Sequence, residues 1–151
     1  MRYYLDTEFN EFGGELISMA LVPAKSALPS FYEEVIFYKP AGPWVKENVI
    51  PKLTKKAISF QEFQGKLYKY LLFNTVQVGP MTIVTDYPDD LSYFVKALIT
   101  GAGSRMAIDN IDFEMRCNMN YISAVPHNAL EDAIGLRNAG EGDETISTTA
   151  H

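Results

Sequence analysis

Three apolar runs crowd into the first 38 residues with only turn-length links between them, and that spacing commits the chain to a sheet that starts as an antiparallel meander. Residues 2–9 read as a first strand, 15–22 as a second and 30–38 as a third, with Gly13-Gly14 and residues 23–29 as the turns. Links this short join antiparallel neighbours, because a parallel connection needs a crossover of a dozen residues or more.

Beyond the meander the pattern alternates. Pro43 opens a short helix at Trp44 that ends near Pro51, and a longer helix follows with Phe60, Phe63, Leu67, Tyr70 and Leu71 on its core stripe. Thr82-Ile83-Val84-Thr85 suits a buried strand, residues 91–99 carry helical spacing, and Gly101 and Gly103 close that helix. Residues 104–126 hold the weakest pattern, with a fifth strand expected around 106–108. A last helix is expected over 128–138. A meander followed by helix, strand and helix is the order of a mixed α/β sheet with helices on its faces. The expectation is one domain over residues 1–138 and a flexible polar tail over 139–151, since the Gly/Glu/Thr/Ser composition from Ala139 offers little to bury.

At 151 residues the chain is long enough for a core without disulfides, and its single cysteine, Cys117, has no partner for a bridge or a thiolate metal site. A reducing, cytoplasmic setting is the expectation. The apolar stretches are too short or too interrupted to span a bilayer, and Asp6 and Glu8 break the N-terminus where a signal peptide needs its apolar run. Net charge is −6, which argues against a module that holds nucleic acid on a broad basic face. It argues less against a metal-dependent nuclease, because divalent cations attract phosphate where bare carboxylates repel it.

Two short stretches at opposite ends of the chain carry the chemistry. Tyr3-Tyr4-Leu5 favours a strand, and alternate strand residues face the same way, so Asp6 and Glu8 project together as oxygen ligands held without wander. Asp-x-Glu alone is common and reads equally well as a polar strand end. The second stretch is His127-Asn128-Ala129-Leu130-Glu131-Asp132, at the start of the last helix. Five residues separate His127 from Asp132, so the imidazole can hang over a cleft in which Asp132 holds metal. A free imidazole titrates near pH ~6.5 and can take a proton from water activated by metal, which makes His127 the candidate general base. Together the stretches read as a two-metal phosphodiesterase site.

These residues, with Gly13-Gly14-Glu15-Leu16-Ile17-Ser18, Trp44-Val45-Lys46-Glu47-Asn48-Val49-Ile50-Pro51-Lys52-Leu53 and Asp86-Tyr87-Pro88-Asp89-Asp90, give the chain a resemblance. From about residue 2 to 137 it resembles the DEDD superfamily of 3′-to-5′ exonucleases on the RNase H-like fold. Within that superfamily it is similar to the His-bearing branch and to the small stand-alone exoribonucleases related to RNase T. The resemblance implies that Asp6 bridges two Mg²⁺ or Mn²⁺ ions, Glu8 binds the first and Asp132 completes its shell. The middle carboxylate falls among Asp86, Asp89 and Asp90. Family spacing favours Asp90, four residues after Asp86 and ahead of Tyr93-Phe94, and leaves Asp86 as a supporting group and a rival for the ligand role. Asp89 is left as a helix N-cap or a solvated charge.

The resemblance further implies removal of nucleoside 5′-monophosphates from the 3′ end of single-stranded nucleic acid, with RNA ahead of DNA, by a homodimer. Phe9, Trp44 and Tyr87 are the candidates for stacking on terminal bases. Two other readings stand beside this one: a 3′-to-5′ exodeoxyribonuclease of the same fold, and a catalytically inactive RNase H-like module that binds nucleic acid or protein.

Overall fold

The structure, a computed structural model, describes residues 1–147, with side chains as far as residue 142. Strands β1 (Arg2–Phe9), β2 (Leu16–Pro23) and β3 (Phe31–Glu34) form the expected antiparallel meander. β4 (Met81–Thr85) then adds parallel to β1 on its other side. The helical elements are α1 (Pro43–Asn48), α2 (Phe60–Gln77), α3 (Pro88–Ala97) and α4 (Ala129–Ser147), with a 3-10 turn over Ile50–Lys52. The remaining strands are a small hairpin of β5 (Ile99–Gly101) and β6 (Ser104–Arg105), and β7 (Ile111–Met115), which pairs parallel to β4. The result is a five-stranded mixed sheet in the order β3-β2-β1-β4-β7, so β1 lies at its centre.

Alternation along β1 sorts the molecule into two layers. Tyr3 and Leu5 face the helix layer that contains Phe63, Leu67 and Leu71 of α2 and Phe94 of α3, all fully buried. Tyr4 faces the opposite layer, where it packs with Leu136 of α4. Each fully buried side chain of this size contributes about 1.5–3 kcal/mol relative to exposure. α2 starts where Ser59 accepts a hydrogen bond from the Glu62 amide at 3.1 Å, and Asn74 near its end accepts one from the buried Tyr3 hydroxyl at 2.8 Å. α4 lies close on the sheet because Ala129 and Ala133 meet Ala20 and Val22 of β2, and short side chains let the backbones approach. No helix among the described residues is long and apolar enough to cross a membrane.

Four expectations need correction. The fifth strand of the sheet is Ile111–Met115, not 106–108: Ile111, Phe113 and Met115 alternate with Asp112 and Glu114, whereas Met106 plugs the main core from a loop. A hairpin turning at Gly103 (φ +69°) follows α3 where only a helix end was expected. α3 itself begins at Pro88, with Tyr87 in the N-cap position, so Asp89 is not the cap. Finally, α4 runs nine residues past Asn138. Its extension is tied down by Glu141, which accepts from the Tyr4 hydroxyl at 2.7 Å and pairs with Arg2 at 3.0 Å. Of the expected tail, residues 148–151 lie outside the described residues.

Two helical glycines make opposite predictions. A Cβ on Gly65 of α2 meets nothing within 4 Å, so Gly65→Ala should gain helix propensity of about 0.5–1 kcal/mol and raise Tm by ~2–4 °C. A Cβ on Gly135 of α4 would sit 2.6 Å from the Ile122 carbonyl oxygen and 2.7 Å from the Tyr121 ring. Overpacking of that kind costs about 1–3 kcal/mol and outweighs the propensity gain, so Gly135→Ala should lower Tm in the same melting experiment.

Candidate functional site

The C-terminal half of β1 ends in a cavity of about 520 Å³ that gathers Asp6, Glu8, Asp86, Asp90, His127 and Asp132, from three separate parts of the chain. Asp6 and Glu8 reach it because they follow Tyr4 on the same face of β1, the face covered by α4. Asp132 comes from the first turns of α4. That helix is started by Asn128, whose side-chain oxygen accepts from the Glu131 amide at 3.2 Å and whose amide group donates to the Lys52 carbonyl at 2.9 Å. Asp132 in turn accepts from the His127 backbone amide at 3.0 Å.

His127 occupies the left-handed region with φ +66°, a conformation that costs a non-glycine residue free energy and that the Asp132 contact helps to hold. Its ring meets Trp44 edge to face at 4.9 Å between centroids. Glu8, His127 and Asp132 each offer one ligand atom within 4.8 Å of the others, close enough to share a metal ion.

Asp90 enters from α3 and is fastened to the other side of β1. Thr7, which points away from Asp6 and Glu8, donates to Asp90 Oδ1 from its hydroxyl at 2.6 Å and its backbone amide at 3.1 Å, while Thr85 donates to Oδ2 at 3.4 Å. Asp90 is 3% exposed, whereas Asp86 is only partly buried. The charge of Asp90 raises Asp6 more than that of Asp86 does. Thr7 is the residue sequence reasoning passed over here; its hydroxyl between two carboxylates was the available signal.

Crowding dominates the electrostatics. Burial, then the charges of Asp90, Glu8 and Asp132, raise Asp6 well above the usual carboxylate range. Burial, then Asp132 and Asp90, push Glu8 up to about 8. Asp90, Asp132 and Asp86 are also raised, chiefly by burial, and for Asp90 and Asp132 hydrogen bonds oppose the rise. Asp6 Oδ2 is buried and accepts no hydrogen bond from any described residue. A buried orphan oxygen among like charges is costly unless a cation or a proton completes it. The donors are carboxylate oxygens and one imidazole, a set that could hold a metal ion.

The three aromatic candidates all line the cavity. Phe9 is already stacked on Tyr93 at 4.7 Å, whereas Trp44 and Tyr87 are about half exposed. Two further rings reach the cavity without having been anticipated. Phe12 projects from the β1–β2 turn, 94% exposed. Tyr121 comes from the connection after β7, where residue spacing carries no pattern, and its ring rests on Gly135.

The raised carboxylates set the pH dependence of the metal-free protein. Above the unfolded-state values near ~4 these groups bind more protons in the folded chain than in the unfolded one, so their contribution to stability is greatest at low pH and falls as pH rises toward the folded value of Glu8, about 8. In EDTA, Tm should therefore fall between pH 5.5 and 8, and Asp6→Ala should flatten that decline while keeping or raising Tm at pH 8. An unchanged pH trend in the variant would show that the repulsion does not act on stability. Compared with protein-family models and with curated proteins the chain matches none, so the reading of this site rests on its own residues.

Proposed function

We propose that this protein is a 3′-to-5′ exoribonuclease of RNase H-like fold that uses two divalent cations to release nucleoside 5′-monophosphates from single-stranded RNA. The observation that carries the reading is the convergence of Asp6, Glu8, Asp90 and Asp132 on one cavity, with His127 at its edge and a buried Asp6 oxygen that no described residue hydrogen-bonds. The strand order, with an antiparallel meander on one side of β1 and two parallel strands on the other, supports the fold assignment. A cytoplasmic homodimer belongs to the same proposal.

In this reading Asp6, Glu8, Asp90 and Asp132 hold Mg²⁺ or Mn²⁺. Bound there, the cations lower the pKa of water and neutralise charge on the phosphate. His127 accepts the proton of the attacking water at its imidazole, and the edge of Trp44 limits the angles that the ring can adopt. Thr7 fixes the Asp90 carboxylate in place by donating to it from its hydroxyl and its backbone amide. Trp44 and Tyr87 offer open aromatic faces to an unpaired base, a contact worth about 1–3 kcal/mol.

The test is digestion of end-labelled single-stranded RNA and DNA in Mg²⁺, Mn²⁺ and EDTA. A metal-dependent ladder from the 3′ end of RNA is expected; a ladder on DNA alone would change the substrate, and none on either would sink the proposal. Asp90→Asn should abolish activity at any practical Mg²⁺ concentration, while Asp86→Asn, acting on the ligands from outside, should cost about 10–100-fold. The reverse ranking would move the ligand role to Asp86. His127→Ala should cost about 10²–10⁴ in rate. A variant that keeps the wild-type rate would exclude His127 as the base.

A further inference from the structure

The lysines of this acidic chain are unevenly placed. Residues 39–56 carry Lys39, Lys46, Lys52, Lys55 and Lys56 against Glu47 alone, a net charge of +4 inside a chain of −6. All five lysines are exposed. Lys55 is engaged with Glu33 at 2.9 Å, and the charge of Lys39 acts on Glu15. Lys46, Lys52 and Lys56 make no ion pair with any described residue.

This segment is also the wall of the candidate site. Trp44 and Val45 line the cavity, and the Lys52 carbonyl holds Asn128, the residue after His127. It is pinned along its length. Asn10 bonds the Gly42 amide at 3.0 Å and the Pro40 carbonyl at 3.0 Å, and Glu34 accepts from the amides of Thr54 and Lys55 at 2.6 and 3.0 Å. Val45 and Val49 are buried against Ile17, which fixes the inner face of the segment. The segment is thus a rigid ridge of positive charge that starts at the rim of a carboxylate-lined cavity, with a half-exposed tryptophan at its inner end.

We infer that residues 39–56 form a strand-binding ridge: a single-stranded nucleic acid whose 3′ end occupies the cavity runs its upstream phosphates past Lys46, Lys52 and Lys56, beside Trp44. The inference rests on the function proposed above and adds the path of the strand. Its physical basis is that carboxylates repel the polyanion wherever cations do not cover them, so net attraction has to come from fixed positive charge within about a Debye length, ~10 Å at 0.1 M salt. Unpaired lysines on a pinned backbone supply that charge with little reorganisation.

The experiment is fluorescence anisotropy of a 5′-labelled 12-nucleotide single-stranded RNA titrated with protein in Ca²⁺ over a salt series, with intact RNA verified on a gel. Each lost phosphate contact on a single strand flattens the slope of log K against log salt by about 0.7, so Lys46→Gln/Lys52→Gln/Lys56→Gln should flatten it by about 2 and weaken binding roughly 10–100-fold at 50 mM salt. A dinucleotide, too short to leave the cavity, should lose much less.

An equal loss of charge elsewhere, Lys25→Gln/Lys69→Gln/Lys96→Gln, should leave the slope in place, and matching melting curves confirm that all variants are folded. Wild-type slope and affinity in the ridge variant overturn the inference. So does an equal effect in the control variant, an equal loss for the dinucleotide, or a wild-type protein that binds no RNA. Binding that depends on the ridge without any cleavage would keep the ridge and remove the exonuclease; cleavage with an indifferent ridge would do the reverse.

Discussion

The strict alternation of β1 is the constraint on which the rest of the structure depends. Because successive side chains take opposite faces, Tyr3 and Leu5 must enter one helix layer and Tyr4 the other. The same alternation then sends Asp6 and Glu8 toward α4 and leaves Thr7 facing α3, where it fastens Asp90. A shift of one residue would exchange the two faces, turning Asp6 and Glu8 away from α4 and out of the cavity. The apolar half of the strand therefore holds the polar half in register, and β2 on one side and β4 on the other leave it no freedom to slip.

That register concentrates negative charge where water is scarce. Seven acidic side chains line one cavity, and five of them, Asp6, Glu8, Asp86, Asp90 and Asp132, have their protons held more tightly than in water. Such an arrangement works against folding and persists because the surrounding core holds it in place. Phe63, Leu67, Leu71, Phe94 and their partners on the sheet supply apolar burial remote from the charges. The positive φ of His127 is a second local cost at the same place, offset in part by its amide bond to Asp132. Costs gathered at one site and offset elsewhere are the usual signature of a site shaped by function rather than by stability.

The polar contacts around the cavity also explain how distant segments are brought to it. Asn128 links the start of α4 to Lys52, Asn10 links the end of β1 to residues 40 and 42, and Glu34 gathers the amides of Thr54 and Lys55. Each is a buried or half-buried side chain satisfying backbone groups that no helix or strand could satisfy. The segment around α1, a six-residue helix and one 3-10 turn, is thereby tied at both ends to its neighbours.

Much of the fold could be read from the sequence because periodicity is local: the alternation of β1, the apolar run of β4 and the stripe of Phe63, Leu67 and Leu71 each declare themselves within a few residues. Asp6, Glu8, His127 and Asp132 stood out for the same reason, as residue types at short fixed spacings. β7 was misplaced although Ile111, Phe113 and Met115 alternate, because an edge strand with partly exposed apolar residues resembles a loop until β4 is there to pair with it. The length of α4 depended on Glu141 meeting Arg2 and Tyr4, some 140 residues earlier, and no local pattern records such a contact. By itself the sequence determined which residues alternate, which cluster by type and where helices can start. Only the tertiary structure decided that Thr7 holds Asp90, that Tyr121 and Phe12 reach the cavity and that one Asp6 oxygen has no hydrogen-bond partner among the described residues. Those relations are distances between segments far apart in the chain, and distances of that kind exist only once the core has closed.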